Sequence, residues 1–152
     1  MSAGYVVTTT ANVALSAATA KTVLSVISAS GALLRLVEAS ISFDGTSGTA
    51  TPVLVELCKS TQAGAGTSTS QTPVQVRGST RTAQASGARN YTVEPTTLTP
   101  VREWLIHPQT GFAYQLPLGR EIEQTASGNA LCLRVTAPAS VNCRAFMDFE
   151  EG

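Results

Sequence analysis

A chain of 152 residues is the size of one ordinary domain and can bury a core without disulfide or metal staples. Ten basic and ten acidic residues cancel, so no net field steers the protein toward nucleic acid. Only 13% of residues are charged and 5% aromatic, while Ser and Thr supply roughly a quarter of the chain. A usual charged share is about 25%; a surface of hydroxyls and small side chains instead suits packing against other protein.

The chain opens on MSAGYVVTTTAN. Tyr5, Val6 and Val7 favour strand and Thr8 to Thr10 continue it, so residues 1–20 read as an extended N-terminal arm preceding a single β domain at 21–152. Such an arm ties into its own sheet or adds a strand to a neighbour's. Val13 to Ile27 is the most apolar run, but Ser16, Thr19, Lys21, Thr22 and Ser25 interrupt it, and it falls short of a membrane span. No Lys or Arg precedes Lys21, so a signal-peptide n-region is not expected, and manufacture in a cytosol is.

The stretch from Leu33 to Lys59 organises the rest. Val37, Ala39, Ile41 and Phe43 alternate with Glu38, Ser40, Ser42 and Asp44, which puts an apolar row on one face. Asp44-Gly45 and Ser47-Gly48 carry turn chemistry. Val53, Val55 and Leu57 then share a face, with Leu54, Glu56 and Cys58 opposite. The pattern predicts an antiparallel pair at the middle of an all-β domain.

Residues 60–90 change character. Gly, Ser, Thr, Ala and Gln dominate, and Val74 and Val76 are the only larger aliphatic residues. A segment with so little to bury reads as a long surface loop. It carries Arg77, Arg81 and Arg89, while no acid occurs from Leu57 through Val93. Arg forms bidentate contacts with carboxylates, so this loop is expected either to be solvated or to dock on an acidic partner surface.

Order returns after Tyr91. Val101 to Ile106 is a strand bearing the only tryptophan, Trp104. His107 to Gly111 is a turn, and Phe112, Tyr114 and Leu116 alternate beyond it, so a hairpin from Trp104 to Leu116 is expected. Leu131, Leu133 and Val135 define the next strand. Val141, Cys143, Ala145, Met147 and Phe149 then alternate with Asn142, Arg144, Phe146 and Asp148, the clearest period of two in the chain. The acidic end, Asp148, Glu150 and Glu151, is expected to fray. Eight to ten short strands with regular turns indicate a β-sandwich or barrel of jelly-roll type, with Phe43, Trp104, Tyr114 and Phe149 as core or hairpin anchors.

No catalytic constellation emerges. His107 is the only histidine and lies at a turn, and no GxSxG surrounds a serine. Glu121 and Glu123 share a face if extended but need a cleft to act as an acid/base pair. Gly64 and Gly66 lack the Lys-Ser/Thr of a phosphate loop, and Asp44-Gly45 lacks the recurring acids of a calcium loop. Cys58, Cys132 and Cys143 form no CxxC pair. They are expected as buried thiols, with one disulfide an option outside a cell; a zinc site with His107 would need four distant segments to converge. Trp104 and Tyr114 offer a sugar-stacking option against the plainer role of core packing. No cofactor, metal, nucleic acid or membrane partner is expected.

The ordered phrases SFDGT and TPVLVELCKST, then YTVEPT, WLIHPQTG, PLGRE and a closing strand ending in FEE, span most of Leu36 to Glu151. In this order they resemble small structural proteins of tailed bacteriophages of actinobacteria, in particular capsid decoration (head-stabilising) proteins. The resemblance implies a non-enzymatic β-rich virion protein, assembled in the host cytoplasm. It implies a homotrimer on the outer head surface that clamps neighbouring copies of the major capsid protein. The contacts expected from that role are the arm, with Tyr5, Val6, Val7 and Thr8, and the loop with Arg77, Arg81 and Arg89. A tail, baseplate or fibre component and a lectin-like binding module are the alternatives.

Overall fold

The computed structural model describes residues 3–44, 51–61 and 66–152. The turn residues Gly45, Ser47 and Gly48, and Gly64 of the glycine pair, lie outside them. Thirteen strands are present among the described residues. They are β1 (Ala3–Thr8), β2 (Val13–Leu15), β3 (Ala20–Ile27), β4 (Leu34–Phe43), β5 (Val53–Ser60), β6 (Thr67–Gln71) and β7 (Val74–Arg77). There follow β8 (Ser86–Val93), β9 (Leu98–Ile106), β10 (Phe112–Gln115), β11 (Ile122–Gln124), β12 (Ala130–Thr136) and β13 (Val141–Glu151). The first sheet runs β10-β4-β13-β1-β7, with β11 also on β4 and β2 also on β13. The second runs β6-β8-β3-β12-β5-β9. The protein is an all-β sandwich.

The period of two explains the core. From β13, Val141, Cys143, Ala145, Met147 and Phe149 point inward; from β12, Leu131, Leu133 and Val135; from β5, Val53, Val55 and Leu57. Phe149, wholly buried, stacks on Tyr5 at 5.6 Å between ring centres. Truncating a buried side chain of this size to Ala costs about 3–5 kcal/mol, transfer and cavity terms together. In β4 the inward row changes phase. Asp148 pairs with Glu38 but Phe149 pairs with Leu36, which leaves Val37 as an extra residue. Leu34, Leu36, Ala39 and Ile41 are therefore buried, and Val37 drops out of the expected row.

Several expectations are corrected. The arms of the Leu33–Lys59 stretch do not pair: β4 bonds to β13, β10 and β11, and β5 bonds to β12 and β9. The two apolar rows meet face to face across the core instead of edge to edge. The Trp104–Leu116 hairpin is likewise a crossing between sheets, since β9 bonds to β5 and β10 to β4. Alternation identifies the apolar side of a strand, but it leaves open whose backbone that strand bonds. Trp104 still anchors this corner, with ring centres 4.9 Å from Phe112 and 5.0 Å from Tyr114. Phe43 is partly buried against the same core.

Of the two outcomes expected for the N-terminal segment, it takes the first and ties into its own sheet. β1 lies between β13 and β7, with Tyr5 and Val7 buried. Much of 60–90 is strand, not loop. β6 and β7 form outer strands of the two sheets and β8 begins at Ser86. Strand β6, TSTSQ, is held by backbone pairing to β8 while its side chains stay largely exposed, so it leaves no apolar period to read. The acidic C-terminus does not fray. β13 continues to Glu151, which is fully buried, and Gly152 exchanges backbone hydrogen bonds with Leu33 at 3.1 Å.

Candidate functional site: the bulged outer face of the first sheet

Glu151 explains where the arginines go. Its carboxylate accepts hydrogen bonds from the backbone N–H of Gln84 (2.8 Å) and Ala85 (2.6 Å), and Arg81 stands 3.7 Å away. Arg77 donates to both oxygens of Asp148 (3.1 and 3.2 Å) and lies 3.7 Å from Glu150. Its guanidinium covers Gly4, where an added Cβ would stand 2.6 Å from it. The bond to Asp148 raises the Arg77 pKa further. Arg89 donates through Nε to Gln71 at 3.0 Å. Arg77 and Arg81 thus face carboxylates of the chain's own last strand while staying partly exposed. Of the arm residues, Tyr5 and Val7 face the core, while Val6 is half-buried and Thr8 exposed on the outer face.

The other sequence candidates remain apart. Nδ1 of His107 accepts from the Gln109 N–H at 3.2 Å within its own turn. Among the described residues no group of three or more His, Cys, Asp or Glu side chains is placed to hold a metal. Cys58 and Cys132 stand opposite each other on β5 and β12, while Cys143 lies in the main core. Burial pushes all three thiols upward, Cys58 to about 11 and Cys143 to about 12. Such thiols are poor nucleophiles. Backbone N–H groups of Glu121 itself and Gly119 hold the Glu121 carboxyl below its ordinary range, the wrong direction for a general acid. Glu123 is paired with Arg35 at 2.9 Å.

What remains is the contrast between the two outer faces. That of the second sheet is covered over its middle strands, although a hollow of ≈ 400 Å³ opens at one end beside Lys21, Tyr91 and Glu94. Thr22, Ser25, Cys58, Ser60, Ala130 and Cys132 are buried on this face. Tyr91 and the 94–98 segment, which carries the chain from β8 to the far edge at β9, provide the cover. Glu94 accepts from the Thr22 N–H (2.8 and 2.9 Å) and its hydroxyl (2.7 Å). The hydroxyls of Ser25 and Tyr91 are 2.6 Å apart, and Arg134 forks onto Glu56 at 3.0 and 3.1 Å.

The outer face of the first sheet is open, and a bulge shapes it. Strand β13 bonds first to β1, ending at Thr8 opposite Phe146, and then to β2, beginning at Val13 opposite Cys143. Between those pairings four residues, 9–12, stand against two, 144–145. The surplus loops outward and is pinned at its base: Thr9 donates its N–H to the Ala145 carbonyl at 3.1 Å, and its hydroxyl accepts the Ala145 N–H at 3.3 Å. Thr10 is held at φ 56°, an uncommon conformation for a β-branched residue. Arg144 Nε donates to the Asn12 side chain at 2.7 Å. The result is a concavity of ≈ 290 Å³ walled by Thr8, Thr10, Ser40, Ser42, Arg144 and the partly exposed ring of Phe146. A second hollow of ≈ 230 Å³ adjoins it past Ser42 and Arg144.

No known protein family, curated protein or solved structure matches this chain. Sequence reasoning passed over Phe146 and Arg144 as site residues. The available signal was an aromatic side chain at an outward position of the most regular strand.

Proposed function

We propose that this protein is a non-enzymatic virion structural protein, a capsid decoration protein of the jelly-roll type that binds the outer surface of a phage head and stabilises the shell. Its partners in this reading are the major capsid protein and further copies of itself in a homotrimer. The ordered phrases between Leu36 and Glu151 support it, as does a rigid, neutral sandwich whose arginines at 77 and 81 are internally satisfied. The observation that carries the reading is strand β7. Among the described residues it is one of the two edge strands of the first sheet, with β10 at the other end, and it exposes Val74 at 62% and Val76 at 49%. An outer strand with exposed aliphatic side chains fits a protein partner better than solvent.

This moves the expected contact from the arm and the arginines to β7. The test is co-sedimentation with shells lacking the protein. Substituting Asp at both Val74 and Val76 should abolish occupancy while leaving thermal unfolding unchanged, and undiminished occupancy of the folded variant refutes the β7 contact. Light scattering across a dilution series tests the trimer. Immunogold labelling of intact particles separates the head from the tail alternative.

A further inference from the structure

We infer that the bulged concavity on the outer face of the first sheet is a binding site for a carboxylate-bearing saccharide, of the size of one or two hexoses. The inference stands apart from the shell-binding role: the concavity lies on the same outer face as Val74 but its lining includes no residue of strand β7.

Three observations converge on it. First, the lining is dense in hydroxyls: those of Thr8, Ser40 and Ser42 match the donors and acceptors of a sugar ring, and that of Thr10, which donates to the Thr9 carbonyl at 2.7 Å, adds an acceptor. Second, the Phe146 ring is the one aromatic side chain in that lining and is left partly exposed, although a core lies on the other side of its strand. An aromatic face beside hydroxyls accepts the C–H face of a pyranose and leaves its edge to hydrogen-bond. Third, Arg144 is the only charged residue in the wall. Like Arg89, Arg102 and Arg120, and unlike Arg35, Arg77, Arg81 and Arg134, it has no ion pair among the described residues. Asn12 fixes its Nε, and a planar guanidinium held in this way recognises a carboxylate through its remaining N–H groups. The volume of ≈ 290 Å³ lies at the small end of ligand sites, about 300 Å³, and excludes a long occupied chain. Trp104 and Tyr114 play no part, because their rings pack on each other and on Phe112.

The test is a titration of the intact chain with trigalacturonic acid, followed by backbone amide NMR, beside the neutral maltotriose and a tetraglutamate peptide. Saturable shifts at Thr8, Ser40, Ser42 and Phe146 are expected with trigalacturonic acid at millimolar concentration. Arg144→Gln should weaken binding about tenfold, the loss of a charge-assisted contact. Phe146→Leu, which keeps the apolar contact but removes the ring, should weaken it several-fold while the fold stays intact. Absence of shifts, or shifts elsewhere on the protein, overturns the site. Equal binding of maltotriose or an unaffected Arg144→Gln variant overturns the carboxylate assignment. Equal binding of tetraglutamate overturns the saccharide assignment and makes the face an acidic-peptide site. Shell co-sedimentation of the same two variants should be unchanged, so that loss of sugar binding and loss of shell binding can be told apart.

Discussion

The two outer faces of the sandwich are made from similar strands and similar residues, yet one is covered over its middle strands and the other open. Both carry Ser, Thr and paired ions. On the second sheet the connection from β8 to β9 must pass three intervening strands, and Glu94 and Tyr91 lie down on the hydroxyls of Thr22 and Ser25. Every polar group buried there therefore needs a partner, and the face acts as a second, smaller core around Cys58 and Cys132. On the first sheet no comparable crossing occurs among the described residues. The surplus residues 9–12 raise one wall instead, with Thr9 and Thr10 hydrogen-bonded within the bulge, and the side chains of Thr8 and Ser42 stay exposed. Whether a polar strand face contributes stability or recognition depends on what the chain's connections cover.

Substitutions of graded severity test this difference between the faces. The largest effect should come from deleting residues 1–8. An open outer face does not make its strands dispensable, since β1 supplies Tyr5 and Val7 to the core, and cooperative unfolding by circular dichroism should be lost. Next come the matched ion pairs. Arg134→Ala on the covered face leaves the buried Glu56 carboxylate unpaired and should cost about 3 kcal/mol in denaturant unfolding. Arg35→Ala on the open side breaks a pair whose partners are each nearly half-exposed, 44% and 47%, and should cost about 0.3 kcal/mol or less. Equal costs would erase the distinction between the faces.

Tyr91→Phe removes the hydroxyl that meets Ser25 in the covered layer and should cost about 1–2 kcal/mol. The same layer predicts a pH effect. The Cys58 thiol is pushed from its ordinary 9.0 up to about 11 by burial. Below about pH 9 it is neutral in both the folded and unfolded chains. Between about 9 and 11 only the unfolded chain releases the proton, so stability should fall as pH rises through that window. Cys58→Ser should flatten this part of the decline, and all three thiols should resist alkylation at pH 8 until the protein is denatured. The smallest effect is Thr8→Ala on the open face, expected within about 0.5 kcal/mol of the parent; a larger loss would mean that the face is structurally committed.

Much of this was legible in the residues. The alternation in Val141–Phe149 placed that strand and its buried row correctly, and the same holds for Leu131–Val135 and Val53–Leu57. The burial of Cys58, Cys132 and Cys143 also followed from their positions in strands. The phase change at Val37 was not legible, because it is a bulge defined by the partner strand. Nor was the strand character of Thr67–Gln71, where backbone pairing acts without an apolar row.

The all-β class and the apolar side of β5, β12 and β13 follow from the residues alone, because side-chain alternation is a local property of extended backbone. Strand pairing, the placement of the arms of Leu33–Lys59 in opposite sheets, and the contacts of Arg77 and Arg81 with Asp148 and Glu151 emerge from the folded chain. The open concavity at Phe146 belongs to the same class of facts. Each joins segments far apart in the chain, and the free energy of such contacts depends on which distant surfaces meet, a quantity that no local pattern encodes.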